Sequence, residues 1–230
     1  MTKLAIIPAR GASKRILKKN IKSFLGKPII AYSIESAIES SLFDEIMVST
    51  DDAEIAEIAK QYGATVPFFR SAKNSDDYAT TIDVVEEVIE DYKKRGSVFK
   101  YTCCIYPCAP FITPKKLKES FSKLEEKQYD CVFPIVRFGF PIQRAVKVNQ
   151  VDRIEMFQPE YMQTRSQDLE TSYHDVGQFY FFNTDKIIKE SSLWTKNTGF
   201  IELTELESQD IDNHSDWVLA EIKYKMINKK

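Results

Sequence analysis

No acidic residue occurs before Glu35, yet eight cations do: Lys3, Arg10, Lys14, Arg15, Lys18, Lys19, Lys22 and Lys27. The rest of the 230-residue chain holds 24 Lys and Arg against all 34 Asp and Glu, so a net charge of −2 conceals a polarised molecule. Two phosphate-binding patterns are missing as well. There is neither Gly-x-x-x-x-Gly-Lys-Ser/Thr nor Gly-x-Gly-x-x-Gly, which removes the main support for a P-loop ATPase or a dinucleotide enzyme. No run of 18 apolar residues exists, and the apolar stretch near the amino end is too short for a secretory core, so no membrane partner is expected and a cytoplasmic location is. Cys103, Cys104, Cys108 and Cys131 lack paired metal spacing, and His174 and His214 stand far apart, so the thiols read as reduced core residues. Internal repeats and low-complexity linkers are absent too.

What is present alternates. Leu4–Pro8, Glu45–Thr50, Val66–Phe69, Thr102–Tyr106 and Cys131–Val136 read as strands, with helical apolar periods between them. Those periods run through Ile30, Ile34 and Ile38, through Ile55, Ala59 and Tyr62, and through Val84, Val85, Val88, Ile89 and Tyr92. Thr113-Pro114 supplies a cap and first-turn proline for a further helix through Leu117, Phe121 and Leu124. The expectation is an α/β fold with a mostly parallel sheet flanked by helices. From Arg137 to Tyr173 the rhythm breaks into short β-like pieces, Ala145–Val148 and Ile154–Phe157, so residues 137–173 read as an insertion within one domain spanning 1–230. Gly177–Phe182 restores a strand, Phe200–Leu203 reads as another, and Asn213 or Ser215 caps a final helix through Trp217, Ala220 and Tyr224.

The first strand runs straight into Arg10-Gly11-Ala12-Ser13-Lys14-Arg15, followed by Lys18-Lys19-Asn20. Ligands of open α/β sheets bind at the carboxyl ends of strands, so these cations point to a polyanion such as a nucleotide phosphate. Arg10 offers a forked contact, and Lys14 and Lys19 offer point charges. A solvated basic surface and a nucleic-acid patch are the competing readings, but the loop's one ring, Phe24, is no stacking platform, and nucleic acid is not expected as a partner. Phosphate chemistry also calls for Mg²⁺ held by hard oxygen ligands. Asp210-Ile211-Asp212 places two carboxylates on one side of an extended segment with Ile211 turned inward, although the same residues also suit a helix start. Asp51-Asp52 reads as a helix N-terminus.

Ile7-Pro8-Ala9-Arg10-Gly11-Ala12-Ser13-Lys14 with Lys19-Asn20, and Asp210-Ile211-Asp212 before Asp216-Trp217, resemble the signatures of the CMP-sialic acid synthetase family of cytidylyltransferases. Ala12 stands where the family has a second glycine. Phe69-Arg70 with Asp76 through Thr81, Ile105 through Ile112, and Arg165 through Tyr180 extend the resemblance to nearly the whole chain. Cys103 through Pro107, Phe140 through Ala145 and His174-Asp175 resemble most the branch acting on pseudaminic acid.

The resemblance implies a single Rossmann-like nucleotidyltransferase domain in which 137–173 forms a dimerisation subdomain of a homodimer. It implies transfer of a cytidylyl group from CTP to a nonulosonic acid sugar. Catalysis falls to Arg10, Lys14 and Lys19. CTP contacts fall to Ala9, Arg10, Gly11, Ser13, Lys14, Lys19, Asn20, Arg70, Thr80 and Thr81, and Mg²⁺ ligation to Asp210 and Asp212. Sugar contacts fall to Tyr106, Arg144, Arg165, Gln167, His174, Asp175 and Gln178, with Arg165 reaching across the dimer. Thr80 and Thr81 are equally natural helix caps, and His174 equally a structural partner of its aspartate. Sialic or legionaminic acid are alternative acceptors, and a metal-dependent nucleotide-sugar glycosyltransferase is the second alternative.

Overall fold

The computed structural model describes residues 2–228. In chain order they form β1 (Lys3–Pro8), β2 (Ser23–Phe24), β3 (Lys27–Pro28), α1 (Ile29–Ser40), β4 (Glu45–Ser49), α2 (Ala53–Gln61), α3 (Thr81–Lys94), β5 (Tyr101–Ile105) and α4 (Pro114–Glu126). Then follow β6 (Cys131–Arg137), β7 (Val146–Val148), β8 (Ile154–Met156), β9 (Tyr173–Asp175), β10 (Phe179–Asn183), α5 (Thr184–Glu190), β11 (Thr198–Leu203) and α6 (His214–Ile227).

The main sheet has the order β11-β6-β10-β5-β1-β4, with β9 added beside β6. β1 pairs in parallel with β4 and β5, and β6 with β11. β10 runs antiparallel between β5 and β6, so the sheet is mixed around its centre. Leu4, Ala5, Ile6 and Ile7 are fully buried because β1 is covered on both faces, the condition that makes a parallel strand apolar throughout. Cys103, Cys104 and Cys131 are buried and unbonded, small hydrophobes where β5 and β6 meet the aromatic strand Phe179–Asn183.

One apolar layer joins Ile7, Ile30, Ile34, Val48, Leu117 and Phe181 on the α1 and α4 face. A second joins Leu4, Ile6, Val85, Val88, Tyr92 and Ile187 on the α3 and α5 face. α1, which links β1 to β4, and α3, which leads from β4 to β5, thus lie on opposite faces, which opens a crevice at the carboxyl ends of β1 and β5.

A third cluster decides the site's position. Ile16 of the basic loop, Phe24, Tyr32, Phe111, Ile211 and Trp217 pack together, bringing segments nearly 200 positions apart against one another. Phe24 lies edge-on to Tyr32, Trp217 and Tyr224 at centroid distances of 5.4, 5.5 and 5.8 Å. Asn213 heads α6 with a reciprocal capping box to Asp216, which fixes the chain immediately after Asp212 and is worth about 1 kcal/mol.

One expected strand differs from the structure. Val66–Phe69 is not a strand; only Thr65 bridges to Met47, after which the chain turns Phe69 out to solvent and Arg70 in. α5 and the β2–β3 hairpin carry too few residues to show a period. The long break is confined to β7, β8 and short turns, with Val146, Val148, Ile154 and Phe157 between 53% and 74% exposed.

Candidate active site

A cleft of about 470 Å³ opens at the carboxyl ends of β1 and β5. Its walls include Arg10, Ser13, Lys14, Lys19 and Asn20 from the basic loop, Arg70, Thr80 and Thr81, Tyr106 and Cys108 after β5, and Asp210 and Asp212. Gly177 closes the far side.

The basic loop is built from the backbone outward. Ala9 N–H donates to Ser49 O at 2.8 Å, Gly11 N–H donates to Asp51 Oδ1 at 2.8 Å, and Asn20 Nδ2 donates to Arg10 O at 2.9 Å. Asp52 caps α2 by accepting from the amides of Glu54 and Ile55 at 2.8 and 3.1 Å, so the Asp51-Asp52 pair is architectural, as expected. Gly11 and Ala9 do not line the cleft. A Cβ at Gly11 would meet Asp52 Oδ2 at 2.8 Å, so the glycine there makes room for the capping aspartate. Ala12 needs no left-handed backbone, and therefore replaces a glycine without strain.

Side chains of the loop meet carboxylates and carbonyls. Arg10 donates to Asp77 Oδ1 and to Asp76 O, both at 2.9 Å, and Lys14 donates to the other oxygen of Asp77. Arg15 pairs with Asp212 Oδ1 at 2.7 Å, and Lys19 Nζ donates to Ile211 O at 2.7 Å. Cys108, its thiol pushed up to about 12 by burial, donates to Asn20 Oδ1 at 3.3 Å.

Asp210 and Asp212 flank Ile211, which is 1% exposed and buried in the third cluster. Desolvation by the cleft walls and then repulsion from Asp212 raise the Asp210 pKa, with Lys19 opposing. A carboxylate pair at odds with its own charge suits a divalent cation. Two protein oxygens facing a cleft fit Mg²⁺, which keeps waters and substrate phosphates in its shell. Among the described residues no cluster of three or more His, Cys, Asp or Glu could hold a metal, so Asp210 and Asp212 would act as a pair.

Arg70 is 9% exposed, and desolvation lowers its pKa against support from Asp51 and Glu87. Its Nε donates to Ser49 Oγ at 3.1 Å, locking the guanidinium beside the end of β4. Thr80 caps α3 with a reciprocal box to Asp83, leaving Thr81 to meet Tyr106 OH at 3.0 Å. Of the two, Thr80 is the cap, and both line the cleft.

The expected sugar residues separate. Tyr106 lines the cleft; its hydroxyl, with a pKa raised by desolvation, is bonded to Thr81, and its ring packs 5.7 Å from that of Tyr180. Tyr180 in turn donates to Asp175 Oδ2. Asp175 Oδ1 accepts from Gly177 N–H at 2.8 Å, and Gly177 takes a positive φ of 60° in the turn between β9 and β10. Gln178 is buried behind this turn and donates to Glu207 O at 2.7 Å, tying the turn to the segment that leads into Asp210.

Arg144, Arg165, Gln167 and His174 are not brought to the cleft within one chain. Arg144 donates to Thr164 O, Arg165 pairs with Asp168 at 2.7 Å, and the His174 ring lies tilted against Phe138, centroids 4.7 Å apart, with Nδ1 at 2.9 Å from its neighbour's carbonyl. Gln167 lines a different hollow, of about 600 Å³, between the excursion and β11. The physical reason is that the excursion packs beside β6 and β11 at the far side of the sheet, away from the ends of β1 and β5. Asp77 and Tyr180 join the site without a sequence signal of their own: nothing local ties Asp77 to Arg10, 67 positions away, or Tyr180 to Tyr106.

The cytidylyltransferase family model matches residues 4–207. A pseudaminic acid cytidylyltransferase of Campylobacter jejuni subsp. jejuni serotype O:23/36 (strain 81-176) is 42% identical over 98% of this chain and 97% of its own. The CMP-N,N'-diacetyllegionaminic acid synthase of Legionella pneumophila is 32% identical over 95% of this chain and 94% of its own. Among solved structures, a CMP:2-keto-3-deoxy-manno-octonic acid synthetase complexed with CTP superposes with a TM-score of 0.72 at 17% identity, covering 100% of both chains, a likeness of fold.

Proposed function

Because the chain belongs to the cytidylyltransferase family, we propose that it transfers the cytidylyl group of CTP to the anomeric hydroxyl of pseudaminic acid, releasing pyrophosphate. One observation carries this reading: the basic loop and the Asp210–Asp212 pair, at opposite ends of the sequence, face a single cleft at the strand ends. Arg10, Lys14 and Lys19 neutralise the triphosphate and the departing pyrophosphate. Arg70, Thr80 and Thr81 form the nucleoside wall. Tyr106, held by Thr81 and by the Tyr180–Asp175 pair, orients the sugar.

Asp210 and Asp212 would hold Mg²⁺, which when bound supplies Lewis-acid polarisation of the α-phosphate and acidifies a nearby hydroxyl. Positioning and charge neutralisation account for the rest of the rate, as in phosphoryl transfer generally. Among the described residues no helix is long and apolar enough to cross a membrane, and the unbonded thiols support a cytoplasmic setting.

The exposed apolar residues of 137–173 support a homodimer in which a second copy covers Val146, Ile154 and Phe157 and carries Arg165 and Gln167 to the neighbouring cleft. Incubating the protein with CTP, Mg²⁺ and separate nonulosonic acids, and measuring pyrophosphate, tests the reaction. Release with pseudaminic acid should exceed that with legionaminic or sialic acid. Equal release with sialic acid would overturn the choice of acceptor, and no release with any would overturn the reaction.

A further inference from the structure

Two of the cations that line the cleft share one carboxylate, Asp77, which has no role of its own among the nucleotide contacts. Arg10 and Lys14 donate to the two different oxygens of Asp77, the fork that a phosphate would offer them. Asp77 sits in an exposed turn between Ser71–Ser75 and α3, shaped by Asp76, whose Oδ1 accepts from the amides of Tyr78 and Ala79 at 2.8 Å each. The side chains of Arg10, Lys14 and Asp77 are 37%, 74% and 41% exposed. Exposed ion pairs of this kind are individually weak, so they can be exchanged for a ligand of higher charge with little penalty.

We propose that Asp77 is a built-in stand-in for a substrate phosphate: it holds Arg10 and Lys14 at the cleft wall between turnovers and must be displaced when the triphosphate binds. The carboxylate keeps two like charges from repelling each other in the empty seat, and it competes with the nucleotide for them. It thereby weakens binding of both CTP and pyrophosphate and favours release of the latter. The inference rests on reading the basic loop as the phosphate seat.

Calorimetry of CTP and pyrophosphate in metal-free buffer tests it with four proteins: wild type, Asp77→Asn, Lys14→Ala and the double variant. Asp77→Asn should tighten both ligands by about three- to tenfold, the scale of one or two exposed pairs. In the Lys14→Ala background the tightening should shrink. Glu54→Gln, which removes the same charge from the nearby Lys18 pair, should leave both affinities where they were. Unchanged or weaker binding by Asp77→Asn would overturn the proposal, weaker binding meaning that Asp77 only organises the cations. If Lys14→Ala leaves CTP affinity untouched, it is the phosphate-seat reading that fails, whatever Asp77→Asn does.

Discussion

The cleft at the strand ends and the excursion 137–173 both carry residues expected to touch substrate, but only the cleft is finished within one chain. In the cleft, Arg10, Lys19, Arg70, Asp210 and Asp212 are positioned by buried neighbours: Asn20, Ser49, Ile211 and the aromatic cluster around Phe24. In the excursion, Arg144 and Arg165 are bonded only to neighbouring turns, while Phe140 is 87% exposed and Ile154 74%. The contrast teaches a division of labour. On the proposed reading, the nucleotide contacts are set within one chain, whereas Arg165 and Gln167 would reach a cleft only from a second copy.

Four substitutions test that division, the most damaging first. Asp210→Asn should lower turnover by about a thousandfold, the scale of removing a metal's charge stabilisation, with an unchanged far-ultraviolet circular dichroism spectrum. Activity within tenfold of wild type would break the metal assignment.

Arg165→Ala should raise the sugar KM on the order of a hundredfold with CTP affinity unaltered. Mixing it with Asp210→Asn should restore activity, because one hybrid cleft then holds both native residues. Failure of the mixture, with exchange of subunits verified, would place Arg165 on its own chain's site or outside any site. Lys14→Ala should weaken CTP about tenfold by calorimetry, since a partly screened charge pair is worth a few kcal/mol at most.

The smallest effect is on stability. Burial opposes ionisation of Glu207, but Lys116 at 2.7 Å and the Thr204 cap outweigh it and depress its pKa from 4.5 to about 2. A depressed carboxylate stabilises the fold above its unfolded pKa, and that stability is lost as pH falls through the folded value. Glu207→Gln should therefore cost about 2 kcal/mol at pH 7, after allowing for its exposed part, and almost nothing near pH 2. Denaturant melts across that range check it; a pH-independent difference would contradict the Lys116 pairing.

Much of this was legible in the residues. The buried run Leu4–Ile7, the Thr113-Pro114 helix start and the Asp210-x-Asp212 spacing each carry a local rule, and each appears where that rule puts it. The direction of β10 was not legible: Gly177–Phe182 reads as a strand, but whether it runs with or against its neighbours depends on a path through 137–173 that has no period. Val66–Phe69 has strand-like residues beside the open edge of β4, but Pro67 interrupts the run, and only Thr65 before it and Arg70 N–H, donating to Thr50 O at 2.9 Å, after it meet that edge. Asp77 belongs to the same class, because its partners lie 63 and 67 positions away and only the closed fold sets them at one carboxylate.

The central claim is that the basic loop and the acidic pair act on one triphosphate. Calorimetric titration of CTP into wild type and Asp210→Asn, each with and without Mg²⁺, tests it most directly. Mg²⁺ should tighten CTP at least about tenfold in wild type and not in the variant, while the two proteins bind metal-free CTP within about threefold of each other. Undiminished Mg²⁺ coupling in Asp210→Asn would show that the metal on the triphosphate is held elsewhere.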